Sequence, residues 1–367
     1  MTIPTATTSL PTPTAVRVKI LLLQVMIIGS FLISGAHGWL VTSSSSLLSS
    51  SFSPAWQVHA VTTTTPTRCS TSRSLTTSKM TAETGTEEET EEPPFATIIG
   101  NGRIGTALAQ AGNCLVLGRQ DHIDPQGHGP ILIATRNDSL DAIIDGCPAN
   151  RRQDLVFLQN GYLESYLKAK GLLVDDNDKT TPTQVLLYLS VAALGLPPTD
   201  GITTSNPEGL TLAYGRHADN FARRLSALHL TCTVCTDYTK EYTPAMYEKL
   251  MWISTYMLVG AAHGCGSVGE AQKNHQAQIE TIITELVTAV SDKENIIFPK
   301  GTIARLASYT EVVAEFPCGV KEFEWRNQYF WNLGDDLVPL HNQLLQDCAT
   351  KGLLSFALPT SPSSSTK

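Results

Sequence analysis

Two rhythms of apolar residues run along this chain, and the change from one to the other marks where a sheet gives way to helices. Ala96 to Gly100, Cys114 to Leu117, Ile131 to Ala134 and Leu155 to Leu158 are short unbroken apolar runs. Such runs fit strands buried on both faces of a parallel sheet. Gln184 to Ala192 is a fifth such run, and Thr231 to Cys235 alternates like a half-buried strand. Strands alternating with helical stretches predict an α/β fold of the Rossmann type, a doubly wound parallel sheet covered on both faces. Past Tyr238 the rhythm becomes helical. Thr243-Pro244 combines a capping residue with proline at a helix start, and that helix is expected to run to about Leu258. Helical spacing returns over Gln276 to Val290, Val320 to Trp331 and Leu340 to Cys348. A mostly helical C-terminal domain is therefore expected over residues 241–355, after a Rossmann domain over 93–240, with a Pro-, Ser- and Thr-rich disordered tail over 356–367.

The first quarter of the chain has another character. Residues 1–80 contain no Asp or Glu, and Arg17 and Lys19 precede the apolar stretch Ile20 to Ile33, which ends in small residues around Ala36-His37-Gly38. This is the layout of a signal peptide over 1–38, and the apolar run is too short to favour a lasting membrane span in the mature form. Residues 39–92 read as a Ser/Thr-rich, transit-like segment followed by a linker with six glutamates between Glu83 and Glu92. Signal plus transit resembles a two-part plastid address; the endomembrane lumen or secretion is the alternative. Five of the 26 basic residues and none of the 34 acidic ones precede Met80, so the remainder carries a net charge of −13. That excludes nucleic acid and an acidic membrane surface as natural partners.

The eight cysteines are scattered without disulfide-framework spacing, as in an enzyme of a reducing compartment. Cys232-Thr-Val-Cys235 has C-x-x-C spacing but lies on the alternating strand, which turns its cysteines to opposite faces. His263, Cys265 and His275 read as loop or helix-surface residues, and no metal site is expected.

The chemistry begins at Gly100-Asn101-Gly102-Arg103-Ile104-Gly105, a G-x-G-x-x-G motif with an apolar strand before it and a helix pattern after it. A dinucleotide-binding turn needs that context. Gly100 permits the tight turn, Gly102 lets a pyrophosphate approach the backbone, and Gly105 lets the helix lie close to the strand. Arg103 adds charge beside the phosphates. The second strand ends in Gly118-Arg119, where NAD-binding relatives of this architecture place an acid. Arg119 offers a two-pronged donor to a 2′-phosphate, which predicts NADP(H), although Asp121 keeps NAD in view.

Three polar residues stand out beyond the motif. Lys249 shares a predicted helix face with Ala245, Trp252, Ile253 and Tyr256, surroundings that lower a lysine pKa and make a proton donor, or that simply cover an amphipathic stem. Asn160, in Gln159-Asn160-Gly161, follows a strand where open sheets contact ligands. Glu322 opens a late helix in Glu322-Phe-Glu324-Trp-Arg326-Asn327.

Glycine turn, Gln-Asn-Gly, helical Lys-Leu and Glu-x-Glu-aromatic-x-Asn occur here in an order that resembles the ketopantoate reductases, NADPH-dependent 2-oxo-acid reductases within the 6-phosphogluconate dehydrogenase-like superfamily. The resemblance spans about residues 95–345 and includes Val338-Pro-Leu-His-Asn342 near its end. It implies that Lys249 protonates the carbonyl oxygen, that Glu322 binds a substrate hydroxyl, and that Asn160 fixes the lysine and the nicotinamide side of the cleft. It further implies Arg136 beside the cofactor, and Ser308 and Asn327 at the substrate. Ile253 stands where that family has an asparagine, which leaves a more apolar oxo acid open. A non-catalytic NADP(H)-binding sensor and a 3-hydroxy-acid or sugar-acid dehydrogenase are the other readings, and a homodimer is compatible with each.

Overall fold

A computed structural model describes residues 92–173, 178 and 180–360, all within one compact unit, Glu83–Lys367. The leader reading for the first 91 residues and the end of the tail lie outside the described residues.

Seven strands form the central sheet, in the order β2-β1-β3-β4-β5-β8-β9. β1 (Ala96–Ile99), β2 (Cys114–Leu117), β3 (Ile131–Ile133), β4 (Leu155–Phe157) and β5 (Thr183–Leu186) run parallel. A short ribbon, β6 (Leu189–Ser190) with β7 (Thr199–Asp200), leaves the sheet after β5. β8 (Leu212–Tyr214) returns antiparallel to β5, and β9 (Thr233–Val234) pairs parallel with β8. The helices of this half are α1 (Arg103–Ala109), α2 (Leu140–Gly146), α3 (Glu164–Ala169) and α4 (Ala218–Ser226).

Each face of the sheet buries its own core. Ile98, Leu132, Val156 and Val185 pack with Leu108 of α1 and with Phe221 and Leu225 of α4. Ile131, Ile133, Leu155, Phe157 and Leu186 face the other way, into a core continuous with the C-terminal helices. This accounts for the unbroken apolar runs: strands covered on both sides have no polar face to show. Cys232 and Cys235 fall into different cores across β9, so the C-x-x-C pair is split by the sheet. No helix forms between β2 and β3, and Leu115 and Val116 on that edge strand remain exposed.

The C-terminal region is helical throughout: α5 (Thr243–His263), α6 (Val268–Glu294), α7 (Thr302–Val312), α8 (Phe323–Arg326), α9 (Gln328–Trp331) and α10 (Pro339–Thr350). α5 is apolar on nearly every side, which makes it the central helix of the half. It starts with Pro244 in its first turn and ends at Gly264, whose φ of +69° supplies the left-handed stop. α6 opens with a reciprocal cap: Ser267 accepts from the Glu270 N–H at 3.3 Å while the Glu270 carboxylate accepts from the Gly266 N–H at 2.7 Å. Neither α7 nor β8 is evident from the sequence pattern, and the helix expected over Val320 to Trp331 is two short helices broken at Asn327. Phe356 and Leu358, assigned by sequence to a disordered tail, pack on the core, with the Phe356 ring 5.3 Å from that of Phe323. Among the described residues no helix is long and apolar enough to cross a membrane.

Candidate active site

The glycine turn lies at the carboxyl end of β1, where the strand order reverses and neighbours run to β2 on one side and β3 on the other. Ligands of open α/β sheets bind in that crevice. Gly100 has φ of +105°, and a Cβ there would come 2.8 Å from the Ala134 carbonyl oxygen, so only glycine fits. At Gly105 a Cβ would lie 1.9 Å from the Gly100 carbonyl oxygen, which brings α1 directly against the turn. Gly102 caps α1 and differs from both: a Cβ there would meet nothing within 4 Å. The outer side of the turn is thus open space at Gly102, as a phosphate-binding turn requires.

Arg119 follows β2 and is exposed, while the Gly118 N–H is held by the Asp121 carboxylate at 2.7 Å. Asp121 is thereby folded back on its own turn. Arg136, beyond the end of β3, pairs with Asp138, whose carboxyl is held below its ordinary range by Arg136 and, more weakly, by the charge of Arg119. Two arginines thus share one acid at the β2 and β3 ends of the crevice. Arg136 also feels the carboxylate of Glu322.

Lys249 is buried on α5, and its ammonium reaches the carboxyl end of β5, donating to the Leu187 carbonyl oxygen at 2.8 Å. It lies 4.9 Å from the centre of the Tyr188 ring. Tyr188 meets Tyr309 edge-on at 4.8 Å, and Tyr309 meets Trp252 in the same manner at 4.8 Å, so the ring beside the ammonium is held by an aromatic chain. Burial, aided by the positive charge of Arg326, pushes the Lys249 pKa down to about 7. The preceding residue gives it no relief: Glu248 points toward α7, where Arg305 pairs with it and the Thr302 hydroxyl donates to it at 2.8 Å.

Glu322 caps α8 with φ of +50°, a left-handed conformation rare outside glycine. Its carboxylate pairs with Arg326 one turn on, and burial pulls the Arg326 pKa below its ordinary value. The Gln159-Asn160-Gly161 turn closes against this helix. The Tyr162 N–H donates to the Trp325 carbonyl oxygen at 2.7 Å, and a Cβ at Gly161 would come 2.4 Å from that same atom. Gln159 fastens the turn to β3, donating to the carbonyl oxygens of Ile133 at 2.9 Å and Thr135 at 3.1 Å. Arg326 thus pairs with Glu322 and its charge reaches Lys249, while the neighbouring Trp325 carbonyl holds the Asn160 turn; among the described residues Lys249, Glu322 and Asn160 share no direct hydrogen bond.

Other residues named from the sequence are engaged differently. Arg103, expected at the phosphates, donates to the carbonyl oxygens of Val191 at 3.0 Å and Ala192 at 3.3 Å. Ser308 shares a hydrogen bond of 2.9 Å with Ser205. Asn327, expected at the substrate, is instead buried against His341, 3.2 Å from its Nε2, because the break between α8 and α9 turns its side chain inward. Ile253 is buried, and the Ser254 hydroxyl beside it donates to the Arg326 carbonyl oxygen at 2.6 Å. Sequence reasoning missed Arg326, since a Glu and an Arg four apart look like an ordinary surface ion pair.

Comparison with known proteins defines the fold. No family model and no curated protein matches the sequence. The solved structures similar to it include a PanE/ApbA family ketopantoate reductase from Ralstonia eutropha JMP134, with 15% identity, a TM-score of 0.51, and coverage of 71% of this chain and 98% of that one. D-mandelate dehydrogenase with NADH and anilino(oxo)acetate aligns at 13% identity and a TM-score of 0.52, over 71% of this chain and 99% of its own. A 2-dehydropantoate 2-reductase from Geobacter metallireducens GS-15 aligns at 14% identity and a TM-score of 0.50, over 70% of this chain and 99% of its own. The chain thus has a ketopantoate reductase-like fold, a Rossmann-type sheet followed by a helical region.

Proposed function

We propose that this chain is an NADP(H)-dependent reductase of a small 2-oxo acid, with Lys249 as its proton donor. The observation that carries the reading is the buried Lys249 ammonium, its pKa lowered to about 7, at the carboxyl end of β5 and within electrostatic reach of Arg326. A proton donor works best with a pKa near the working pH. The solved structures of similar fold point the same way, because those with the better overlap are 2-oxo-acid reductases and a mandelate dehydrogenase.

The residues present fit a dinucleotide. The open side of Gly102 and the backbone from Asn101 to Ile104 would cradle the pyrophosphate, Arg119 would take the 2′-phosphate, and Arg136 would lie beside the cofactor. When bound, NADP(H) supplies the hydride. Lys249 hydrogen-bonds the substrate carbonyl oxygen and gives it a proton as the alcohol forms. Asn160 and Glu322 fix the substrate's orientation over the β4 and β5 ends. The burial of Lys249, with the Tyr188 ring against its ammonium, keeps water from the lysine.

The test is NADPH oxidation by the purified protein with a panel of aliphatic and aromatic 2-oxo acids. Turnover of at least one member is expected, with a loss of about 100-fold or more in Lys249→Met. Preference for NADPH over NADH is expected to vanish in Arg119→Ala. No turnover with any member, or full activity in Lys249→Met, sinks the reading.

A further inference from the structure

Arg326 sits at the centre of the cluster, and its surroundings assign it a task. Its main chain is fixed from two sides: the Trp325 carbonyl oxygen accepts from the β4 turn at 2.7 Å, and its own carbonyl oxygen accepts from Ser254 of α5 at 2.6 Å. Its guanidinium is largely covered, with 16% of the side chain exposed. One end holds Glu322, while Nε is buried and meets no acceptor. A buried charged donor without an acceptor is a costly arrangement, and one that persists points to a partner that arrives.

The local charge states the partner's sign. Lys249 and Arg326 lie within electrostatic reach of each other, and Glu322 is the acid paired at this spot. Arg136, which feels the charge of Glu322, is already matched by Asp138. Two cations against one anion leave room for one more negative group. Guanidinium matches carboxylate in shape, offering parallel donors to its two oxygens.

Resting on the reductase reading above, we propose that Arg326 is the substrate's carboxylate anchor and makes the site selective for carbonyl compounds bearing an adjacent carboxylate. In a 2-oxo acid the carboxylate is bonded directly to the carbonyl carbon, so neighbouring cations can hold both groups, Lys249 the carbonyl oxygen and Arg326 the carboxylate. An aldehyde, a neutral ketone or an oxo amide satisfies the lysine and leaves Arg326 unmatched. Arg326 thus determines specificity, while the proton comes from Lys249.

The experiment compares a 2-oxo acid with its 2-oxo amide as substrates of the wild-type protein, Arg326→Gln and Arg326→Lys. The wild type is expected to prefer the acid by about 100-fold in kcat/KM, the scale of a hydrogen-bonded charged group lost. Arg326→Gln is expected to lose that preference, its kcat/KM falling far more on the acid than on the amide, and Arg326→Lys to recover part of it. Equal loss on acid and amide marks a structural role and overturns the proposal, as does an acid preference that survives Arg326→Gln. A wild type indifferent to the carboxylate overturns it even where the variant does not fold. If the wild type reduces neither compound, the reductase reading falls, and oxalate binding to the NADPH-loaded protein decides the anchor separately. Oxalate binding abolished in Arg326→Gln upholds an anion site there; binding unchanged in the variant, or absent from the wild type, overturns it.

Discussion

Lys249 is held in a form that works against folding. Its ordinary pKa of 10.5 falls to about 7 in the folded chain, so the folded state disfavours the proton that the unfolded chain keeps. Stability from this group is complete above about pH 10.5 and is lost as pH falls toward 7, below which the loss is constant. Lys249→Met is therefore expected to stabilise the protein at pH 7 by about 2–4 kcal/mol while abolishing reduction, as thermal melts beside turnover would register. The wild-type rate of reduction is expected to fall above about pH 7 as Lys249 gives up its proton. A pH–rate profile flat from 6 to 9 would remove Lys249 from the proton transfer. Lys249 was legible in the sequence through its apolar neighbours, whereas Arg326 was not. Its pairing with Glu322 has surface spacing, and only contacts distant in sequence, such as the Ser254 bond to its carbonyl oxygen, draw it inward.

At the scale of elements, the glycine turn was the most legible part because each glycine answers a separate backbone demand. Gly105→Ala is expected to push α1 off β1, since its methyl would sit 1.9 Å from the Gly100 carbonyl oxygen. A loss of about 2 kcal/mol or more in denaturant unfolding follows, in the range of overpacked cores. Gly102→Ala should melt like the wild type, its φ of −73° being ordinary and its surroundings empty, yet bind NADPH at least about tenfold more weakly. Equal melting of both variants would contradict this division of labour. Elements that the sequence hid had faint patterns. α7 buries Thr302 and Thr310 beside Leu306 and Tyr309, so its apolar stripe is diluted by threonine. β8 is three residues long and pairs antiparallel with β5, against the parallel rhythm of the strands before it. The break at Asn327 follows from a partner elsewhere in the chain, His341, which no local pattern encodes.

The molecule as a whole is a sheet with a core on each face, and one of these cores continues into the helices, so the two halves stabilise each other. His341 marks a weak point in that arrangement. It is fully buried between Asn327 and Asn342, and burial pushes its pKa down to about 4. The folded state keeps it neutral, so stability is intact above its ordinary 6.5 and is lost as pH falls through about 4, by on the order of 3 kcal/mol in all. Urea unfolding at pH 7 and pH 5 should show a steep loss that His341→Gln reduces; an equal loss in both would place the acid sensitivity elsewhere. One earlier contact also shapes how this molecule opens. The bond from the Tyr162 N–H to the Trp325 carbonyl oxygen, with Gly161 pressed against it, is main chain to main chain. It acts as a stitch between the β4 turn and α8, and a side chain at Gly161 is what would open it. On the other side, α1 and α7 reach the loop after β5 through side chains, Arg103 to the Val191 carbonyl oxygen and Ser308 to Ser205, contacts that a single substitution can release.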